Sequence, residues 1–300
     1  MTVFPPPDPF SLAPSLLPYV RPMNLALAFL TATTLFAQKD TRGIVPEEVL
    51  KARPGAAAAQ PRYQPVGSTH AAGPARQVGV TIWRLRHAAA SDSGARILVQ
   101  EESNTIEWVP ERVSSASALK AGDRVRLSIE SPETGYLYVI DRERYANNDR
   151  GDPYLIFPTT RTHAGDNRVA AGRLIDIPAQ DDRPNFFALR PSRADQVEEE
   201  LTVLLTKSPI DGVTIGPKAL KLTNDQVAKW EKDWGGGNVE RFELAGGAGK
   251  TWTQAEQQAA AGATRVLTQE DPAPQTVYRV AVKSGDPLMV KVHLRYSGGH

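Results

Sequence analysis

Apolar and polar residues alternate with period two over much of the chain, the spacing of a strand with two unlike faces. The clearest run is "GDRVRLSIE", where Val125, Leu127 and Ile129 alternate with Arg124, Arg126, Ser128 and Glu130. It predicts a half-buried strand with one wet face. "GVTIWRLR" sets Val80, Ile82 and Arg84 against Thr81, Trp83 and Leu85. "NTIEWVPERV" follows, and Pro110, which has no N–H to donate, suits an edge or a strand end. "SPETG" then turns into "YLYVI", which is apolar on both faces and predicts a central strand, as does "PYLIFP". "RLIDIP", "NFFAL", "LTVLLTK", "TVYRVAV" and "LMVKVHLRY" are further strands.

Helical spacing is sparse. "PSRADQVEEEL" predicts one or two turns capped by Ser192, with Asp195 three residues on. "TNDQVAKWEKDWGGG" predicts a helix from a capping Thr223 or Asn224 to the glycines, with Val227, Trp230 and Trp234 on one side. The two tryptophans would pin it to the sheets. "TWTQAEQQAAAGA" is a second short helix. Many short strands between Pro, Gly and Asp turns predict a mainly β fold, an immunoglobulin-like or related β-sandwich. A small helical insertion lies near residues 223–261. The sandwich domain spans 78–210, and 211–300 adds the insertion and C-terminal strands packing on it.

The N-terminal region has a different pattern. Arg21 precedes an apolar run from Leu25 to Ala37, too short for a membrane span but fitting a signal peptide over residues 1–37. The proline-rich leader before it suggests Met23 as an alternative start, although the signal then loses its positive charge. Residues 38–77 read as a flexible Ala/Pro-rich linker, with few large apolar side chains to offset its ordering entropy. The expectation is an exported protein, periplasmic or extracellular, without a stable membrane span.

Composition narrows the chemistry. There is no cysteine, which removes disulfides, thiolate catalysis and Cys-based metal sites. Net charge is +1, and no basic stripe interleaved with aromatics appears, which argues against nucleic acid as a partner.

The ordered pieces "GDRVRL" (Gly122–Leu127), "GYLYV" (Gly135–Val139), "LIFP" (Leu155–Pro158), "GDNRVAAG" (Gly165–Gly172) and "IP" (Ile177–Pro178) carry a likeness. Over about residues 78–210 the chain resembles the bacterial domain of unknown function 4384. That resemblance implies a β-rich module of exported or envelope-linked proteins, with no established catalytic residues. The caspase-like or kinase domains sometimes fused to it have no counterpart here.

Between the two most apolar strands lies "DRERYANNDRGDP", read as a long hairpin connection. Asp141, Glu143, Asn147, Asn148, Asp149 and Asp152 are oxygen donors of the kind calcium prefers, but their spacing departs from the EF-hand order and three arginines sit among them. Asp141, Asn147, Asn148, Asp149 and Asp152 are therefore taken as a ligand-binding surface loop, with no metal or cofactor assigned. Arg150-Gly151-Asp152 reads as a turn rather than an adhesion signal. "LAGGAGKTW" ends like a phosphate loop, but its first glycine position holds Leu244. The histidines show no metal spacing, and His163 with Asp166 lacks a nucleophile elbow. The favoured function is a non-catalytic module binding a protein or envelope component. The alternative is a calcium-dependent, small-ligand or glycan-binding protein, then an unrecognised hydrolase.

Overall fold

A computed structural model describes residues 47–56, 61–67, 75–101, 104–261, 266–282 and 285–297. The signal segment, both start positions and parts of the 38–77 stretch lie outside the described residues. A helix, α1 (Glu47–Lys51), comes first, followed by strands β1 (Tyr63–Val66), β2 (Arg76–His87), β3 (Ile97–Glu101) and β4 (Asn104–Val113). Then come β5 (Arg124–Ser131), β6 (Gly135–Tyr145), β7 (Tyr154–Phe157), β8 (Arg168–Val169), β9 (Arg173–Ile177) and β10 (Phe187–Ala188). β11 (Gln196–Thr206) and β12 (Leu220–Lys221) lead to α2 (Asn224–Trp234). The chain closes with β13 (Val239–Leu244), α3 (Gln254–Ala260), β14 (Thr276–Val280) and β15 (Leu288–Arg295).

The protein is a mainly β sandwich of two antiparallel sheets. In the first, β2 pairs with β5 along one side; its other side is shared, with β14 against residues 76–80 and β4 against 82–87. The sheet therefore forks into an arm β14–β13–β1 and an arm β4–β3, while β9 and β10 extend the far edge of β5. The second sheet runs β12–β7–β6–β11–β15, with β8 beside the start of β6. The two final strands thus join different sheets. Pro110 lies beyond the end of β3, where its carbonyl accepts from the Trp252 N–H at 2.9 Å.

The inward residues of both sheets form the main core. Val78, Val80, Ile82, Val125, Leu127 and Ile129 meet Leu137, Val139, Phe157, Leu201, Val203 and Val290. Each such side chain contributes about 1.5–3 kcal/mol on burial.

Both outer faces are covered as well. Thr223 caps α2, accepting from the Gln226 N–H at 3.1 Å. Val227 and Trp230 then close over Tyr138, Ile140, Leu155, Leu204 and Met289. On the opposite side a Thr253–Glu256 capping box starts α3, and Ala260 packs with Trp252, Trp83, Leu85 and Trp108. The helical part is therefore two separate covers with β13 between them.

Three expectations are corrected. The polar face of β5 is not wet: Arg126, Ser128 and Glu130 are all buried. Their period-two pattern is real, but the layer of Trp83, Trp252 and α3 seals the polar side. Residues 192–200 are not helical; from Gln196 onward they form β11, paired on both sides by β6 and β15. Two ladders of backbone hydrogen bonds and the inward Leu201, Val203 and Leu205 outweigh the local helix preference of the glutamates. Nor is the 38–77 stretch simply flexible. It contains α1 and β1, and Arg53 is fully buried. Its guanidinium binds both Glu130 oxygens, at 2.8 and 2.7 Å, and donates to the carbonyls of Thr268, Asp271 and Pro272. A buried, paired arginine, rather than apolar burial, offsets the ordering entropy of this stretch.

Candidate functional site

The β6–β7 hairpin carries the residues singled out from the sequence, but it does not gather them. β6 continues to Tyr145, so the loop shortens to 146–153. Asp141 consequently lies on the strand, opposite Leu201. The loop itself is built from local hydrogen bonds. Tyr145 N–H donates to Asp149 O and Asn148 N–H to Tyr145 O, both at 3.0 Å, while Gly151 N–H reaches Glu143 O at 2.9 Å. Asn148 takes the left-handed conformation, φ 66°, which asparagine tolerates better than most residues. Asn147 Oδ1 accepts from the Asp149 N–H at 3.0 Å, and its amide donates to the Asp149 carboxylate at 2.6 Å. Asp152 pairs with Lys221 instead. The five residues therefore form no common ligand set. Four of them decorate one rigid turn, and Tyr154 beside them is 39% exposed.

Asp141 belongs to a different environment. It faces inward with Glu199, which stands diagonally across the β6–β11 ladder, and both line a cavity of about 130 Å³ with otherwise apolar walls. Asp141 Oδ1 and Glu199 Oε2 are sealed from solvent and have no hydrogen-bond partner. Glu199 Oε1 accepts from Tyr296 Oη and from Gln196 Nε2, each at 2.8 Å. Burial pushes the Asp141 carboxyl up to about 8, and the nearby Glu199 and Glu143 carboxylates push the same way. Burial likewise raises Glu199, against the pull of the Tyr296 and Gln196 donors.

A second acidic group sits on the outer face of the same sheet. Glu198, Glu200 and His293 come close enough for one ion to touch all three. Cations already occupy those oxygens: Glu200 pairs with Lys291 at 2.9 Å, Arg150 at 3.1 Å and Arg144 at 3.3 Å, and Glu198 accepts from His293 at 3.0 Å. The cluster is a charge ladder rather than an open site. Asp166 holds Arg168 at 2.9 Å, while His163 turns its Nε2 to the Asp176 carbonyl at 2.6 Å, so no His163–Asp166 pair is formed. In the glycine-rich segment, Gly249 N–H and Trp252 N–H go to the carbonyls of Arg112 and Pro110, continuing the β4 arm rather than cradling a phosphate.

The sequence reading missed Glu199. The signal was present: once 196–206 is read as a strand, Glu199 shares parity with Leu201, Val203 and Leu205 and must point inward. Comparison with protein-family models, with curated proteins and with solved structures finds no match to this chain. No helix among the described residues is long and apolar enough to cross a membrane.

Proposed function

We propose that the chain is an exported bacterial, non-catalytic β-sandwich module that binds a protein partner or a cell-envelope component through the 146–154 loop. The observation that carries this reading is the contrast between the loop's fixed backbone and its outward side chains. Asn147, Asn148, Asp149 and Asp152 are exposed around Tyr154 on a turn that its own hydrogen bonds hold. A rigid loop loses little entropy on association, and tyrosine amid short polar residues supplies contact area with adaptable hydrogen bonding. Packing takes up the inner faces of both sheets and part of their outer faces, which favours loops and edges for recognition. The export signal and the likeness to domain 4384 support the compartment and the module class.

The test is quantitative cross-linking of the full chain in cells, comparing wild type with an Asn147→Ala/Asn148→Ala/Asp152→Ala/Tyr154→Ala variant and with an Arg183→Ala control. Loss of the same partner from the loop variant alone, with thermal stability kept, is the expected result. Unchanged cross-links in the loop variant would overturn the assignment, as would intact Met1 on a cytosolic chain for the compartment.

A further inference from the structure

The 146–154 loop has no apolar anchor over most of its length. Residues 146–150 and 152 are exposed, and Pro153 is its first buried residue. The local hydrogen bonds set the shape of the turn, but not where it sits on the sheet. At the near end Ala146 N–H donates to the Asp195 carbonyl at 2.9 Å. At the far end Arg142 Nε donates to the Gly151 carbonyl at 2.9 Å, and Asp152 pairs with Lys221 in an exposed contact. Between these ends Arg150 reaches back to the outer face of the second sheet. Its Nη2 donates to both oxygens of Glu200, at 3.1 and 3.4 Å, and its Nη1 stands 3.6 Å from Glu231 of α2. The Glu200 side chain is only 3% exposed, so solvent screens this contact less than an ordinary surface pair.

Glu200 serves two other cations, Arg144 at 3.3 Å and Lys291 at 2.9 Å. Each of them keeps a second partner: Arg144 has Glu198 at 3.5 Å, and Lys291 has Glu231 at 2.6 Å. Besides Glu200, Arg150 has only the longer contact to Glu231 among the described residues. Loss of the Glu200 charge therefore falls hardest on the loop.

We propose that Glu200 is a positioning residue for the recognition loop, holding Arg150 so that Asn147, Asn148, Asp149 and Tyr154 are presented in one fixed arrangement. The assignment rests on that loop being the binding surface. Being nearly sealed, Glu200 offers a partner almost no surface and acts through Arg150.

The experiment is hydrogen exchange of the full chain read by mass spectrometry, paired with in-cell cross-linking. Glu200→Gln keeps the size of the side chain and removes its charge. Amides of residues 146–153 should exchange about tenfold faster, the scale of one lost charge-assisted hydrogen bond. Peptides from β5 should be unchanged, and cross-links to the wild-type partner should fall. Glu198→Gln is the control: Glu198 is two residues away on the same face and pairs with Arg144, His293 and Arg295 but not with the loop. It should leave both readouts unchanged. Arg150→Gln breaks the contact from the loop side and decides the matter if Glu200→Gln does not fold. It should reproduce the Glu200→Gln effect, and the double variant should add nothing to either change alone. Unchanged loop exchange in Glu200→Gln and Arg150→Gln, or an equal rise in Glu198→Gln, would overturn the assignment whatever the cross-links show. Faster loop exchange with intact cross-links would also overturn it if the Asn147/Asn148/Asp152/Tyr154 alanine variant loses them, since binding then needs no fixed loop. Cross-links kept by both the Glu200→Gln and the alanine variants would instead fail the loop as the binding surface, and the positioning role with it.

Discussion

Replacing Asp176 by alanine tests the claim that the polar face of β5 is interior. Arg126 and Asp176 are both 0% exposed. Arg126 Nη2 donates to Asp176 Oδ2 at 2.8 Å, and its Nη1 donates to the Asn185 carbonyl at 2.6 Å. Ser128 donates to the other Asp176 oxygen and accepts from Trp83 Nε1 at 2.7 Å. Burial pushes the Asp176 carboxyl up, while the Arg126 and Ser128 donors resist. Asp176→Ala leaves the guanidinium beneath Trp252 with one carbonyl in place of a carboxylate. Breaking a buried pair from one side costs about 3–5 kcal/mol. For a fold of this size each kcal/mol moves Tm by about 2–4 °C, so a fall of roughly 10 °C is expected. Arg126→Met/Asp176→Leu removes both charges and should return to within about 1–2 kcal/mol of wild type, because apolar replacement of a buried pair is often neutral. Urea unfolding followed by tryptophan fluorescence is the assay, since Trp83 and Trp252 stand 6.0 Å apart in the same layer. A cost below about 0.5 kcal/mol for Asp176→Ala, the range of ordinary surface substitutions, would mean that the polar face of β5 is wet after all.

Two further outcomes follow from the same physics. The Asp141 carboxyl is raised in the folded state to about 8 from 3.8, so its contribution is fully present below about pH 4 and is lost as pH rises through 8. Asp141→Asn should therefore flatten that decline and unfold at higher urea than wild type at pH 8, with little difference at pH 4; identical pH profiles for the two proteins would contradict the assignment. Arg53→Met strands Glu130 in the interior and should cost about 3–5 kcal/mol. Limited proteolysis should then cut first within residues 47–56, and an unchanged cleavage pattern would show that the anchor is dispensable.

Much of the sandwich was legible because strands announce themselves by parity. β5, β6, β7, β9, β14 and β15 all lie where alternation or apolar runs placed them, and "GYLYV" and "LIFP" are indeed neighbours in the second sheet. α2 and α3 were legible from their caps and spacing. Of β11 only the second half, "LTVLLTK", was legible; its first half was not, because Glu198, Glu199 and Glu200 read locally as helix formers, and only pairing with β6 and β15 fixes their extended backbone. Of the candidate residues, Asn147, Asn148 and Asp149 stayed in the turn their chemistry favours. Asp141 moved onto the inward face because β6 extends five residues past the apolar run.

Local sequence dictates which residues alternate, where the chain turns and where its short helices begin, since φ/ψ preference, capping and period are local properties. It could not decide what covers each face. A polar stripe looks the same whether it meets water or a tryptophan layer brought from 120 residues away. The packing of distant segments settles that Arg126 and Glu130 are buried and paired, that Arg53 is an anchor, and that two carboxylates on different strands line one cavity. Those facts depend on desolvation and on partners distant in sequence, which no local pattern encodes.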